Sequence, residues 1–519
     1  MATFDLRTEP WIPVRYVDGH TGEVGLRDAL VNAHHICELD LDNPMETAAL
    51  YRLLLALAIR INPETEQDAP WFDRWDMGRF DEVPIDGYFE KWKERFDLFH
   101  PKHPFYQVRE DGGQTPIQPS YLRLHEGGNT SSLFSGDNRK RNDTLAPSEA
   151  ARGVVASQYA AIGGLLSNPY KTGNKNSPGV GGTLFWIHGE SLFHSLMLNA
   201  PPSIDARMGG TKEEDRPAWE VDPSRTKTTR PRKGFLDYLT YQYRRLTLET
   251  MEIDGVTAVT SFRRTGGDNE EEIPLEDPHV AILAGDPVKK TAPRRFNISV
   301  GRAVWRDSSV FLTMASSRGT PPRTVQWGKS NLADLGISVL EIELLGMRTR
   351  GANDGTIKIW RSERLPLYLS LLSNIERAAT LTHALEIAEN QEAILRKSAF
   401  VAAINLLSDG SDKVAELTNA LNPVPRFWPA IEPHFMELIQ RIAKTPGAGA
   451  DPDWATPVLR SWYRILHLTA LRSFDTATAS LEKNARQLRA VAIARASIKP
   501  AERYHFEEIS TITDEEVPL

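Results

Sequence analysis

Apolar and polar residues alternate along the first part of the chain. Between Trp11 and Val24 this alternation surrounds Asp18-Gly19, a dipeptide typical of tight turns, and it predicts a strand hairpin. A helix start follows at Asn43-Pro44, because asparagine caps a first helical turn and proline suits the first helical position. Apolar residues then recur at helical spacing up to Pro63, so we expect a buried core helix here.

The alternating spacing of strands and the roughly 3.6-residue spacing of helices also divide the rest of the chain into elements. Residues 147–161 are predicted as a helix, whereas 183–188 and 339–345 are predicted as strands. From residue 363 onward the apolar spacing is helical, and turn residues separate successive helices. We therefore expect an α+β fold, with a large irregular mixed N-terminal domain over residues 1–362 and a C-terminal antiparallel four-helix bundle over residues 363–519.

A long stretch between residues 112 and 146 loses regular periodicity and is rich in Gly, Asn, Ser and Arg. It contains an aromatic residue, Phe134, followed by Gly136, Asn138 and a run of basic residues. An aromatic side chain among cations and amides is typical of a loop that touches nucleic acid. A mobile surface loop explains the same composition equally well.

A second irregular stretch, residues 200–233, ends in a cluster of cations without an acid among them. Arg225, Lys227 and Arg230 are therefore candidates for phosphate contacts. A solvated charged loop is the alternative explanation.

A glycine-containing turn follows the helix predicted at residues 147–161. Gly163 and Gly164 permit a backbone to approach a ligand closely, and Lys171 and Lys175 add positive charge. The spacing of glycine, lysine and hydroxyl residues that defines a phosphate-binding P-loop is absent. A plain turn from helix to strand accounts for the pattern as well.

Another turn-rich segment, residues 346–355, follows the strand predicted at 339–345. It combines two arginines with Asn353-Asp354-Gly355, which is a strong turn sequence. An ordinary hairpin loop and a tip that contacts DNA are both compatible with this pattern.

Composition and charge narrow the class of protein. The 519-residue chain has a formal net charge of -8, which argues against coating nucleic acid by bulk charge and draws attention to local basic patches. The one cysteine, Cys37, excludes a disulfide within the chain and a multi-cysteine zinc site. Neither a signal peptide nor a membrane span is visible, so we expect a cytoplasmic protein with no membrane partner.

Catalytic motifs are absent from the sequence. The histidines do not form the paired zinc signature of a helix, and a nucleophile elbow, a P-loop and a metal-binding carboxylate cluster are all missing. We therefore expect a binding or scaffolding protein with no cofactor and no metal. Two alternatives stay open: a nucleic-acid enzyme whose site is assembled from distant residues, and a structural subunit without DNA contact.

Several segments carry a resemblance to a known family. They are 4–6 with 10–14, 45–50, 103–107 and 217–220, and the helical C-terminal region follows them. In this order and spacing they resemble the CasA family, the large subunit of the type I-E CRISPR Cascade surveillance complex. The resemblance covers essentially the whole chain, and it implies a mixed N-terminal domain, a C-terminal four-helix bundle and no catalytic activity.

The resemblance also implies a function and a set of partners. A CasA protein recognises the protospacer-adjacent motif (PAM), the short sequence beside the target in duplex DNA, and it helps to open the duplex in antiviral defence. The implied partners are the other Cascade protein subunits, the 5′ region of the guide RNA, the double-stranded target DNA and the helicase–nuclease that is recruited.

The resemblance implies roles for two of the irregular segments. The loop that anchors the subunit in its complex corresponds to Phe134 with Gly136 or Asn138. A glycine loop that enters the minor groove of the PAM corresponds to the segment of Gly163, Gly164, Leu165, Ser167, Asn168 and Lys171. Minor-groove recognition is degenerate, so a loop rich in backbone contacts would accept several motifs.

Two further elements are implied in the same way. A wedge that inserts beside the PAM corresponds to Asn353 and Asp354, and Asp354 departs from the glutamine of many relatives. A lysine finger corresponds to Lys289 or Lys290. The cysteine cluster that some relatives carry is missing here, so no zinc is expected.

Overall fold

The computed structural model describes residues 2–108, 115–123, 144–165, 173–202, 204, 210–223, 229–270, 277–285, 288, 290–310, 319–351, 354–407, 413–445, 453–481 and 484–501. Within these ranges helices and small sheets are mixed, so the predicted α+β class is confirmed. The chain divides into two compact units, Met1–Leu367 and Tyr368–Leu519. The sequence pattern places this division after residue 362.

The strands and helices have the following bounds. The strands are β1 (Ile12–Tyr16), β2 (Thr21–Val24), β3 (Ile36–Leu39), β4 (Gly164–Leu165), β5 (Gly173–Asn174), β6 (Leu184–His188), β7 (Thr229–Arg230), β8 (Arg244–Ile253), β9 (Val256–Gly266), β10 (Asn269–Glu270), β11 (Ile282–Leu283), β12 (Arg294–Arg295), β13 (Gly319–Thr320), β14 (Val339–Gly351) and β15 (Asp354–Tyr368). The α-helices are α1 (Leu26–Val31), α2 (Pro44–Ile61), α3 (Asp68–Met77), α4 (Glu82–Lys91), α5 (Pro147–Ala160), α6 (Leu192–Asn199), α7 (Phe235–Thr240), α8 (Arg323–Asn331), α9 (Leu369–Ser373), α10 (Ile375–Leu406), α11 (Lys413–Ala420), α12 (Val424–Lys444), α13 (Ala455–Thr478) and α14 (Ala485–Ala496).

The N-terminal hairpin and the core helix form as predicted. Strand β1 lies between β2 and β3 in an antiparallel sheet, and Ile12 pairs with Val24 across the hairpin. Helix α2 begins where its sequence predicts, because the Asn43 side chain accepts a hydrogen bond from the Met45 backbone N–H at 2.9 Å. The helix is buried along nearly its whole length and packs against α5 and α7. It is therefore the central core element of the first unit.

A three-stranded sheet of order β15-β14-β6 confirms both predicted strands in this region. The helix expected from residue 363 is wrong at its start, because β15 continues to Tyr368. Burial alternates between successive residues from 363 to 369, which is a strand period rather than a helical one. Arg364 stabilises the extended form by pairing with Glu341 of β14 at 3.0 Å.

The second unit is the predicted helical bundle. Helix α10 packs against α12, α13 and α14, and it forms the longest element of the unit. Trp462 of α13 is buried, and its indole N–H donates to the Ala384 carbonyl of α10 at 2.9 Å. Such a bond lets a large aromatic side chain enter the core without leaving its polar group unsatisfied. Among the helices of the described ranges, none combines the length and apolar character needed to cross a bilayer.

A buried carboxylate joins several elements of the first unit. The Tyr238 hydroxyl donates to Asp277 Oδ2 at 2.6 Å, and the His279 backbone N–H donates to Oδ1 at 2.9 Å. The Arg52 guanidinium lies 3.4 Å from the same carboxylate, and Arg295 donates to the Tyr238 hydroxyl at 3.2 Å. Burial by itself raises the pKa of Asp277, but His279 and the two arginines hold this pKa far below its ordinary value.

We expect Asp277→Asn to destabilise the protein by about 3–5 kcal/mol, because it leaves two buried arginines without their counterion. Urea unfolding of the purified chain measures this loss. Since a depressed pKa stabilises the fold above the unfolded value of about 4, the wild type should lose this advantage as the pH falls below about 4.

The matched control is Asp307→Asn, which breaks the partly exposed ion pair with Arg302. We expect it to cost less than about 1 kcal/mol. Equal losses in the two variants, or parallel pH profiles for wild type and Asp277→Asn, would contradict a structural role for the buried carboxylate.

Candidate nucleic-acid interface

The predicted glycine turn forms the base of a small hairpin. Strand β4 pairs with β5 in antiparallel register, with Gly164 opposite Asn174 and Leu165 opposite Gly173. Just outside the paired residues, the backbone N–H of Gly163 donates a hydrogen bond to Asn176 Oδ1 at 2.6 Å. The predicted contacts Ser167, Asn168 and Lys171 lie outside the described residues. The described part therefore shows a closed hairpin base, called here the glycine hairpin (161–165 and 173–177).

One buried arginine holds both arms of the glycine hairpin. Arg244, at the start of β8, is 2% exposed. One of its terminal nitrogens donates to the carbonyls of Ala161 and Ile162 at 3.1 and 3.0 Å, and also to that of Lys175 at 3.0 Å. The first two carbonyls belong to the arm that enters the hairpin and the third to the arm that leaves it. A single side chain thus fixes the distance between the two arms.

The positively charged guanidinium of Arg244 donates hydrogen bonds to neutral acceptors. Its hydrogen bonds run to backbone carbonyls, including that of Tyr243 at 2.7 Å, and none of them involves a carboxylate in the described part of the chain. Burial lowers the pKa of Arg244, and repulsion from the nearby Arg264 lowers it further. The base of the glycine hairpin is therefore a region of positive potential in an otherwise acidic protein.

Helix α5 is locked to the same arginine. The Gln158 side-chain amide donates to the Arg244 carbonyl, and its oxygen accepts from the Arg244 backbone N–H, each at 2.9 Å. Gln158 lies in the last turn of α5, immediately before the hairpin. Helix, hairpin and strand β8 therefore meet at one residue and are held in fixed register there.

The predicted wedge segment, Asn353 and Asp354, falls between the end of β14 and the start of β15. Asp354 is the first residue of β15, whereas Asn353 lies outside the described residues. Strand β14 pairs with β6 only from Glu341 to Leu345, so the β14–β15 ribbon continues beyond the sheet. A ribbon of this kind can present its turn to a large partner.

A cluster of charged residues fastens the base of this ribbon. Glu343 of β14 is 2.8 Å from His188 Nε2 of β6, and it accepts from the Ser362 hydroxyl of β15 at 2.5 Å. Arg364 of β15 bonds to Glu38 of β3. Burial raises the pKa of Glu343, but the bonds from His188 and Ser362 outweigh burial, so its pKa lies below the ordinary value. The base of the ribbon is thus rigidly fixed to the core.

The remaining predicted contacts fall into two groups. Phe134, Gly136, Asn138, Arg225, Lys227 and Lys289 lie outside the described residues. Lys290 is exposed and has a left-handed backbone, with φ of 52°.

Arg230, a predicted phosphate contact, is bonded to carboxylates within the first unit. Its guanidinium donates to Asp237 at 2.6 and 2.9 Å and to Asp268 at 3.2 Å. It also lies over the Tyr241 ring, 4.2 Å from the centroid. These bonds connect β7 to α7, and the phosphate contact of Arg230 stays a prediction.

Sequence reasoning missed Arg244, Gln158 and Glu343 as supporting residues. A signal existed for Arg244, because strand alternation places it on the same face as the fully buried Leu246. No such signal existed for Glu343, whose partners come from distant strands. Across the described ranges, no three histidine, cysteine or carboxylate side chains come together as a metal site requires.

Comparisons with known proteins identify similar chains. A family model described as CRISPR-associated protein Cse1 matches residues 5–473. The CRISPR-associated protein CasA/Cse1 of Thermus thermophilus is 30% identical over 511 residues, which cover 94% of this chain and 95% of that protein. Both matches extend over most of the chain rather than over one domain.

Solved structures agree with the sequence comparisons. The crystal structure of Thermus thermophilus CasA is similar with a TM-score of 0.78 and 27% identity, and the match covers 96% of this chain and 98% of that chain. A chain of a structure described as a CRISPR RNA-guided surveillance complex shares the fold, with a TM-score of 0.74, 22% identity and coverage of 96% and 100%.

We expect Arg244→Met to loosen the glycine hairpin. Loss of hydrogen bonds to three carbonyls should speed amide exchange in peptides from 161–177 by about tenfold or more, since each factor of ten corresponds to about 1.4 kcal/mol of local opening. Hydrogen–deuterium exchange of the purified chain measures it. Arg245→Met, on the opposite face of the same strand, is the control. Equal exchange in the two variants would contradict the role of Arg244 in holding the two arms of the hairpin.

Proposed function

The chain belongs to the family of the CRISPR-associated protein Cse1, also called CasA, and we propose that it recognises the PAM in duplex DNA as the large subunit of an RNA-guided surveillance complex. The glycine hairpin carries this proposal. Its two arms are held by Arg244, and the segment between them starts from a rigid and electropositive base. A backbone-rich loop presented in this way suits a minor groove, where hydrogen-bonding patterns are degenerate.

Duplex opening is proposed for the β14–β15 ribbon. A wedge between base pairs must resist the force that restacks them, so its base has to be stiff. The cluster of His188, Glu343 and Arg364 supplies that stiffness. Asp354 carries a negative charge that DNA phosphates repel, so wedging here relies on the shape of the turn and on Asn353.

The other proposed roles follow from membership of the family. Phe134, with Gly136 or Asn138, anchors the subunit among the other complex proteins near the 5′ region of the guide RNA. A helicase–nuclease docks on the assembled complex and cuts the DNA. We propose that this chain itself acts in the cytoplasm without catalysis, cofactor or metal. In such a complex, guide pairing supplies the sequence specificity and the protein recognises the PAM.

We expect Gly163→Val and Gly164→Val to weaken PAM-dependent duplex binding by the assembled complex at least about tenfold, because a branched side chain keeps the backbone out of the groove. Electrophoretic mobility shift with a guide-matched duplex measures the affinity. Gly181→Val is the control, since a Cβ there meets no atom within 4 Å. Normal duplex binding by assembled Gly163→Val complexes would contradict the proposal and would indicate a structural subunit without DNA contact.

We expect Phe134→Ala to weaken retention of this subunit in the complex, because an apolar aromatic anchor loses most of its buried surface. Co-purification of the tagged subunit with guide RNA and partner proteins measures retention. Leu133→Ala, next to it, is the matched control for general effects of truncation. Unaltered co-purification of the Phe134→Ala subunit would remove the anchoring role.

A further inference from the structure

Four arginines lie at one end of the β8–β9 ribbon, two on each face. Leu246 pairs with Arg264, and Arg245 pairs with Thr265, in antiparallel register. Because side chains alternate between faces, Arg244 and Arg264 share one face, and Arg245 and Arg263 share the other. The two faces can therefore be compared within one element.

The arginines of the second face have acidic partners. Arg245 lies 3.3 Å from Asp268, and Arg263 lies 2.8 Å from Glu249. The Glu249 carboxylate also accepts from the Ser261 hydroxyl. These are ordinary structural ion pairs, and they leave no net positive charge on this face at these positions.

Arg264 differs from the other three. In the part of the chain that the structure describes, its side chain makes no hydrogen bond and no ion pair, and its Nε atom is buried without an acceptor. The pKa of Arg264 is lowered by burial alone. Its neighbour Arg244 bonds only to carbonyls, so no carboxylate among the described residues compensates either charge. Folding alone gives no reason to keep a largely buried cation without a partner.

The position of Arg264 indicates which kind of ligand would pair with its charge. Its charge acts on Arg244, whose guanidinium binds both arms of the glycine hairpin. A planar guanidinium matches the tetrahedral oxygens of a phosphate and prefers such an anion to a neutral ligand. Phosphates line both edges of a DNA groove, so a loop that enters the groove brings phosphates towards its own base.

We propose that Arg264 binds a phosphate of the target DNA backbone at the base of the glycine hairpin. This inference rests on the proposed function, since it assumes that the hairpin approaches duplex DNA. Arg244 is the positioning residue, because its donors are used by the hairpin carbonyls. Arg264 is the contact residue, because its donors have no acceptor among the described residues.

Replacing Arg264 with methionine tests the proposal in the assembled complex. Affinity for a guide-matched duplex should fall about tenfold, and the slope of log affinity against log salt should become shallower by about 0.9, as expected for one lost phosphate contact. Arg263→Met removes a charge from the adjacent residue and should change neither quantity. Unchanged affinity and salt slope in Arg264→Met would overturn the proposal.

The stability of the free subunit separates a binding role from a structural one. Because Arg264 is an unpaired and largely buried cation, Arg264→Met should leave the Tm unchanged or higher, whereas replacing a structural arginine would lower it. A lowered Tm therefore counts against the proposal. A loss of guide RNA from the purified Arg264→Met complex would assign the phosphate to RNA and would also overturn it.

An experiment with inorganic phosphate does not depend on DNA recognition. Phosphate should raise the Tm of the wild-type subunit and of Arg263→Met, and it should raise the Tm of Arg264→Met less. If the glycine variants bind duplex normally, the proposed function fails while this result still stands. Equal increases in all three proteins would show that Arg264 is not an anion site.

Discussion

The guanidinium of Arg244 is the interaction on which the proposed interface depends. It binds carbonyls from both arms of the glycine hairpin, and its own backbone is bonded twice to Gln158 of α5. A loop that recognises DNA by its backbone needs a fixed origin, because each backbone group has to meet a groove at a defined depth. One buried cation supplies that origin, and its charge favours an anionic ligand at the same place.

Both proposed contact elements share one design, a turn carried by a firmly held base. The glycine hairpin is held by Arg244, and the β14–β15 ribbon is held by Glu343 with His188 and Ser362. In each case the central supporting residue, Arg244 or Glu343, is buried and has partners from several elements. Such clusters hold geometry more strictly than apolar packing does, because every donor and acceptor demands a specific neighbour. In both proposed contact elements, fixed charged residues therefore lie at the base of the turn that is proposed to meet nucleic acid.

Local sequence patterns were enough to predict much of the fold. Alternation around Asp18-Gly19 and the Asn43 cap correctly predicted the first hairpin and helix α2, because those elements are determined by nearby residues. The pattern misplaced the end of β15, whose extended form depends on pairing of Arg364 with Glu38 and Glu341. The glycine turn was predicted as a site, but the role of Arg244 in holding it was not, since Arg244 is distant in sequence from the carbonyls it binds. Long-range partners of charged residues are what a single sequence does not reveal.

A tethered cleavage reagent tests most directly whether the glycine hairpin lies against target DNA. The chain has one natural cysteine, so Lys175→Cys in a Cys37→Ser background carries a single iron–EDTA group on an exposed residue at the base of the hairpin. In the assembled complex bound to a guide-matched duplex, we predict cuts confined to the few base pairs beside the paired target, with the offset between strands that is typical of the minor groove. Stable binding of the duplex with cuts elsewhere, or with none, would contradict PAM recognition by this hairpin.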